Sequence, residues 1–384
     1  NYIEGPFPHE IGNLHNLEKL DLTMNSITGS LPEAIGRLMS LRILSVANNL
    51  LNGSLPSSLG NCTNLETLIL SFNSISGPLP DTLAGLHSSI IAFSAEKNEL
   101  SGVLPAWLGR WTRVNNLLLG SNRFSGGIIP ELGNCSSLTS LSLEDNHLSG
   151  AIPSELCNAI GLDTLSLQNN GLSGTISGTF RRCWNLTEIH LDNNHLEGAI
   201  PASLVSLPLL VSIELAFNSF SGPIPEELWM NPANVLLGFE ASNNRLSGRI
   251  SPLIGSLTSL QHLGLSGNQL QGAIPKEIGK LVNLQCLFLG GNRLGGSIPP
   301  ELFGCTELTT LDLGSNLHLS GSIPHEIGKL VNLECLVLSH NNFSGPIPPE
   351  ICFGFQQTSI PTSSYLQHHG YFDLSWNSLS GSIP

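Results

Sequence analysis

Carboxylates are the reactive side chains whose spacing is most regular in this sequence. They fall two, four or six residues before asparagines that recur at a nearly constant interval, so they occupy equivalent positions. Two carboxylates held close together can act as an acid–base pair, and an unbalanced line of them attracts cations. The members of this set in the middle of the chain are Glu96, Glu144, Glu188, Asp192, Glu214 and Glu240.

Binding, rather than catalysis, is what the rest of the sequence predicts for these carboxylates. The sequence has no glycine-rich phosphate loop, no HExxH or CxxC metal motif and no GxSxG nucleophile motif. A repeating array also supplies no pocket that excludes water. We therefore expect no catalytic residue and no cofactor.

The net charge of −14 leaves two interpretations of the carboxylates open. They either keep the surface solvated, or they line a groove that steers a cationic partner, because basic residues are nearly absent at the equivalent positions. The sign of the charge excludes nucleic acid, whose phosphates would be repelled.

Aromatic and histidine side chains near the end of the chain form a second candidate set. Phe288, Tyr371 and Trp376 are expected to face outward, and exposed aromatics beside a charged groove are typical of a partner's contact site. His368 and His369 are adjacent, so they point to opposite sides of an extended segment and predict no metal site. One imidazole is expected to brace the coil and the other, His368, to face solvent or a partner.

The element that positions these side chains is a repeat of about 24 residues, with the frame LxxLxLxxNxLSGxIP. Alternating leucines predict a short strand with one buried face, and each recurring asparagine, called here a ladder asparagine, ends it. The frame resembles the plant-specific class of leucine-rich repeat. It implies an α/β solenoid: a right-handed superhelix with a parallel β-sheet on the concave face and short 3-10 or irregular convex segments.

One array of about sixteen coils is expected over residues 1–384, with both ends falling within a repeat, so we expect a fragment of a longer protein. The last interval carries 12 extra residues, which places a short insertion at 352–368. No run of 18 apolar residues predicts a membrane span.

Cysteines and glycosylation sequons bear on the compartment. Coils that stack about 5 Å apart bring Cys157 within disulfide range of both Cys183 and Cys135. The Cys157–Cys183 pairing is favoured, and a Cys157–Cys135 bond or no bond stays open. Five N-x-S/T sequons are candidate glycosylation sites, at Asn52, Asn61, Asn134, Asn185 and Asn342, with Asn342 expected to be the least accessible.

A narrower resemblance rests on the stretches "LILSFNSISGPLP", "FSAEKNELSG", "LPAWLGRW" and "SYLQHHGYFDLSWNSLSGSIP". Together they resemble the ectodomain of the EXCESS MICROSPOROCYTES (also EXTRA SPOROGENOUS CELLS) receptor kinases of plants. The resemblance implies a single-pass plasma-membrane receptor with a C-terminal Ser/Thr kinase domain, an extracellular array and a role in cell-fate signalling. It also implies a small secreted cysteine-rich ligand of the TAPETUM DETERMINANT type and a somatic-embryogenesis-type co-receptor kinase, and the acidic groove predicts that this ligand is basic.

Two other classes of function stay open at this point. One is a receptor for a linear peptide or a microbial pattern. The other is a secreted inhibitor of a cell-wall-degrading enzyme, which the number of coils disfavours.

Overall fold

Each coil of the protein turns at its ladder asparagine, in a computed structural model that describes residues 2–230, 235–353 and 371–384. Asn122 is buried, and its Nδ2 donates to the carbonyls of Ala95 (2.9 Å) and Leu119 (3.1 Å) while its Oδ1 accepts the Leu100 N–H (3.0 Å). The amide thereby satisfies backbone groups of two successive coils, which would otherwise be buried without partners.

The coils form two compact units, Asn1–His195 and Leu196–Pro384. Within each unit the three-residue inner strands pair in parallel and in sequence order. In the first unit they are Lys19–Asp21, Ile43–Ser45, Thr67–Ile69, Ala92–Ser94, Asn116–Leu118, Ser140–Ser142, Thr164–Ser166 and Glu188–His190. In the second they are Ser212–Glu214, Gly238–Glu240, His262–Gly264, Cys286–Phe288, Thr310–Asp312, Cys335–Val337 and Tyr371–Asp373.

A second row of parallel strands follows the ladder asparagines. Most of these strands end at the glycine of the "SGxIP" frame, as Ser26–Gly29 does. The glycine adopts a positive φ, as at Gly29 (72°), and its carbonyl accepts the Asn52 N–H of the next coil (2.8 Å). The proline at the end of the frame follows the strand and precedes the helix, as Pro32 precedes Glu33–Arg37.

These outer strands have the following bounds. In the first unit they are Glu4–Pro6, Ser26–Gly29, Leu50–Leu51, Ser76–Gly77, Glu99–Val103, Arg123–Gly126, His147–Gly150 and Gly171–Thr175. The others are His195–Gly198, Ser219–Pro223, Arg245–Gly248, Gln269–Gly272, Arg293–Gly296, His318–Gly321, Asn342–Pro346 and Ser378–Ser380.

Short helices close most coils on the side away from the inner strands. The 3-10 helices are His9–Asn13, Glu33–Arg37, Ser57–Asn61, Asp81–Ser88, Ala106–Arg110, Pro130–Asn134, Ser154–Asn158, Pro252–Ser256, Lys276–Lys280, Pro300–Gly304, His325–Lys329 and Pro349–Phe353. Ala202–Val205 and Glu226–Trp229 are single α-helical turns. A glycine in many of these helices lets the next coil approach closely: a Cβ at Gly133 would lie 1.9 Å from the Glu155 carbonyl oxygen.

The core of each unit is a column of leucine, isoleucine and phenylalanine side chains between the inner strands and the helices. Leu141 and Leu143, which alternate with serine and glutamate, are fully buried as the strand period predicts. The predicted leucine-rich-repeat α/β fold, with parallel strands and 3-10 helices, is therefore confirmed. One array spanning both units stays a prediction. Most of the expected insertion at 352–368, together with His368 and His369, lies outside the described residues.

One coil of the first unit departs from the repeat. After Gly171–Thr175 the residues up to Glu188 form turns instead of a 3-10 helix, where the sequence reads "TISGTF" without the usual proline. Cys183 in this coil is joined by a disulfide to Cys157 in the coil before, with Cα atoms 4.8 Å apart. Cys135 is a buried free thiol, and burial raises its pKa to about 11.

In the part of the chain that the structure describes, no helix is both long and apolar enough to cross a bilayer.

Candidate ligand-binding face

The exposed side of the inner strands, called here the strand face, carries the candidate residues. Strand pairing without register shifts, as in Asn116 opposite Ser140 and Leu118 opposite Ser142, places residues of equal frame position side by side in successive coils. Each predicted carboxylate at these positions is therefore a neighbour of the residue at the same position one coil away.

Glu96 and Glu144 form a carboxylate pair on the strand face of the first unit. They belong to coils two steps apart, and the Ser142 hydroxyl lies 3.1 Å from Glu96 Oε1 and 2.7 Å from Glu144 Oε2. The intervening coil has Gly120, where a Cβ would lie 2.1 Å from Glu144 Oε1, so the glycine makes room for the carboxylate. Burial raises the pKa of Glu96, and the charge of Glu144 adds to that rise although the Ser142 hydrogen bond opposes it.

Other carboxylates of the first unit have polar partners of their own. Glu188 is exposed and lies 3.6 Å from the His190 Nε2, while Asp192 accepts from the Asn193 side chain (2.7 Å). Asp163 accepts the Thr187 hydroxyl (2.5 Å). These contacts hold the side chains in place along the face.

Glu240 in the second unit is paired with a histidine. His262 Nε2 lies 2.7 Å from Glu240 Oε2, and the imidazole packs against the Phe288 ring with centroids 5.5 Å apart. Gly264 leaves space for the Glu240 carboxylate, as Gly120 does for Glu144, since a Cβ at Gly264 would lie 1.7 Å from Glu240 Oε2. Basic residues were predicted to be nearly absent at these positions, and His190 and His262 correct this prediction, because they lie four and six residues before ladder asparagines.

The rest of the predicted set in the second unit is partly covered. Glu214 and Phe288 are half-buried. Asp312 is half-buried as well, and burial raises its pKa although the Gly314 N–H opposes the rise. The carboxylates of this part of the face are thus partly solvated, as Glu96 and Glu144 are in the first unit.

Tyr371 and Trp376 are both exposed, as the sequence predicted. Trp376 is 75% exposed and stacks on the His340 imidazole, with centroids 5.3 Å apart and planes inclined by 11°. Asp373 lies between them in the chain, and hydrogen bonds from Ser375 lower its pKa. An aromatic pair beside a charged carboxylate can bind an apolar or cationic group.

A row of side chains borders the strand face, and of its members only Trp376 was predicted from the sequence as a contact residue. The residue immediately before each ladder asparagine has a positive φ wherever it is described, including the bulky Phe72 (59°), Phe217 (53°) and Trp376 (54°). Such conformations are unfavourable for large side chains. Lys97 lies over the Phe72 ring at 4.7 Å in the neighbouring coil. This row could have been found from the sequence, because each of its residues stands immediately before a ladder asparagine.

We expect the contact between His262 and Glu240 to make the stability of the protein depend on pH. Burial disfavours the charged imidazole, but hydrogen bonds to Cys286 and Glu240 outweigh it and raise the pKa of His262 to about 9. A raised pKa contributes stability that is complete below the ordinary value of 6.5 and is lost as the pH rises through about 9. We expect the loss to be about 1–2 kcal/mol, since the pair is partly solvated.

Thermal unfolding measured between pH 6 and 10 checks this prediction. In His262→Gln the unfolding temperature should fall less over this range than in the natural protein. Equal slopes for both proteins would contradict the assignment of the pair.

The candidate glycosylation sites are all at the surface. Asn52, Asn61, Asn134, Asn185 and Asn342 are each exposed. Asn342 opens an outer strand and is exposed like the other four, and its being the least accessible of the five stays a prediction. Within the described ranges, no group of three or more His, Cys, Asp or Glu side chains is arranged to hold a metal ion.

Family models match more than half of the chain. The model described as "Leucine Rich Repeat" matches residues 16–38, 40–62, 64–86, 137–159, 259–281, 283–305, 307–330 and 332–353. A second model, described as "Leucine rich repeat", matches residues 160–220.

Solved structures and one curated protein extend the comparison. The plant peptide hormone receptor RGFR1 in complex with RGF2 is 35% identical over 99% of this chain, with a TM-score of 0.86; the chain spans 66% of that receptor's chain. The Arabidopsis receptor kinase HAESA, in complex with the peptide hormone IDA and the co-receptor SERK1, is 31% identical over 100% of this chain and 74% of its own, with a TM-score of 0.56. The leucine-rich repeat receptor protein kinase MSP1 of Oryza sativa subsp. japonica is 54% identical over 33 residues, which is 9% of this chain and 3% of that protein.

Proposed function

This chain belongs to the leucine-rich-repeat ectodomains of plant receptor kinases, and we propose that its strand face recognises a secreted peptide or small protein. The observation that carries the proposal is the Glu96–Glu144 pair, two carboxylates held over Gly120 with a raised pKa on one of them. A cationic group placed between them would relieve the repulsion of the two charges. Two related receptors are described in complexes with peptide hormones, which supports the same class of ligand.

The finer proposal is a small, basic, cysteine-rich protein ligand, as in the EXCESS MICROSPOROCYTES receptor kinases. Its support is the excess of carboxylates on the strand face of the first unit and the exposed Tyr371 and Trp376 in the second. A linear peptide is the second candidate, supported by the peptide hormones of the related structures.

The wider proposal places this chain outside the cell as part of a plasma-membrane receptor with a kinase domain. Ligand binding would recruit a co-receptor kinase of the somatic-embryogenesis type and start cell-fate signalling. The support is family membership and the HAESA complex, which contains a co-receptor.

Display libraries of linear and disulfide-constrained peptides, selected on the folded chain, test the proposed function. We expect basic peptides to be selected, and Glu96→Gln with Glu144→Gln to slow their association about tenfold at low salt, with the difference shrinking as salt is added. The matched control is Glu131→Gln with Glu155→Gln, which removes the same charge from the helices of the same unit.

Equal association rates for the two double variants would contradict the proposal, because the effect of removing two charges would then not depend on where they lie in the chain. Selection of constrained over linear peptides favours the cysteine-rich ligand, and the reverse favours the linear peptide.

A further inference from the structure

One row of positions on the helical side of the first unit is basic, although the chain as a whole is acidic and Glu131 and Glu155 begin helices nearby. Among the positions 11 to 15 residues after the ladder asparagines, those of three coils carry arginines and, in the described part of this unit, none carries Asp or Glu. The arginines are Arg37, Arg110, Arg113, Arg181 and Arg182, and all are exposed. We call them the arginine strip.

Basic residues elsewhere in the first unit have partners. Arg42 is paired with Glu66 (3.0 Å), Arg123 with Glu99 (3.1 Å) and Lys19 with Asp21 (3.6 Å), while Lys97 lies over Phe72. Over the described residues, no arginine of the strip has an ion pair with a carboxylate; Arg113 donates to the Ser88 carbonyl (2.9 Å). The strip is therefore a set of guanidinium groups available to an external anion.

Helix capping explains only part of the strip. Arg37 and Arg110 close 3-10 helices, where a positive charge complements the terminal carbonyls. Arg113, Arg181 and Arg182 lie outside any helix. The last two sit in the coil that lacks its helix and is tied to the preceding coil by the Cys157–Cys183 disulfide.

Apolar side chains lie beside the arginine pair. Trp184 is 59% exposed and Ile160 is 71% exposed, and the Asn185 side chain donates to the Ile160 carbonyl (2.7 Å), so these coils are in contact. An aromatic ring next to two guanidinium groups offers a flat apolar surface and bidentate donors for carboxylates.

We propose that the arginine strip, centred on Arg181, Arg182 and Trp184, binds a linear acidic polysaccharide whose sugar rings carry carboxylates. Three coil steps separate Arg110 from Arg182, about 14 Å at the spacing of parallel strands. Several sugars of an extended chain span this distance. The carboxylates of the sugars would bind the arginines, and the face of one sugar ring would stack on the Trp184 indole. An acidic polypeptide is the alternative occupant, and the test below distinguishes it from the sugar.

Binding of an unesterified oligogalacturonate to the secreted, glycosylated chain tests the proposal, with the fully methyl-esterified oligomer as the uncharged probe. Arg181→Ala with Arg182→Ala should weaken binding at least about tenfold, and Trp184→Ala about fivefold. The matched control, Arg42→Ala with Arg123→Ala, removes the same charge from paired arginines of the same unit and should change affinity less than about twofold.

Four results would overturn the proposal: no binding of the unesterified oligomer, equal binding of the ester, equal loss in the control variant, or binding of poly-glutamate as tight as that of the sugar. The last result would assign the strip to an acidic polypeptide. Unchanged thermal unfolding of each variant ensures that losses report binding.

Discussion

Replacing Asn316 with alanine is expected to lower the free energy of unfolding by about 3 kcal/mol. Asn316 is fully buried; its Nδ2 donates to the carbonyls of Leu289 (3.0 Å) and Leu313 (3.1 Å), and its Oδ1 accepts the Leu294 N–H (3.0 Å). Alanine leaves the Leu294 N–H buried without its partner, which carries a desolvation cost, and it leaves the Leu289 carbonyl with only its bond from the Asn292 side chain (3.1 Å).

Urea unfolding measures the total effect, and hydrogen exchange at the Leu294 amide measures its local origin. Asn283→Ala is the matched control, because Asn283 is an exposed asparagine of the same unit that donates to a single carbonyl, that of Thr258 (2.8 Å). The control should cost less than about 1 kcal/mol. If both substitutions lowered the free energy of unfolding by the same amount, the hydrogen bonds of the ladder asparagines would not be what holds successive coils together.

Replacing Trp376 with alanine is expected to weaken ligand binding by about 2 kcal/mol, with folding intact. The indole is largely exposed and contacts the His340 ring, so its removal opens little of the core. Alanine also adopts the positive φ of this position more easily than the bulky indole does. Tyr371→Ala should act in the same direction.

The measurement is the affinity of a peptide ligand selected on the folded chain, with thermal unfolding in parallel. Phe353→Ala is the control, since Phe353 is an exposed aromatic (53%) at the end of a 3-10 helix of the same unit. A fall in unfolding temperature together with normal binding would show that Trp376 and Tyr371 brace their coil instead of contacting the ligand.

Features that repeat in every coil could be predicted from the sequence. The inner strands, the buried leucines and the role of the ladder asparagines all follow from one frame, because each is dictated by burial and backbone hydrogen bonding. The outer strands were missed, because their pairing depends on the positive φ of glycines such as Gly29 and not on an alternation of apolar residues.

Contacts between particular side chains could not be predicted from the frame. The pairing of Glu240 with His262 needs the space left by Gly264, and the pairing of Glu96 with Glu144 needs Gly120. These glycines are absent from the repeat pattern at those positions, so periodicity gives no reason to look for them. The ionic state of the strand face therefore depends on individual residues one or two coils away.

Site-specific photo-crosslinking tests most directly the claim that the strand face holds the ligand. A photoreactive residue would replace Glu144 or Trp376 on the strand face, and Glu131 or Phe353 on the helical side as the matched positions in each unit. A bound, selected peptide is expected to crosslink from position 144, from position 376 or from both, and not from 131 or 353. Crosslinking from the helical positions alone would contradict that claim.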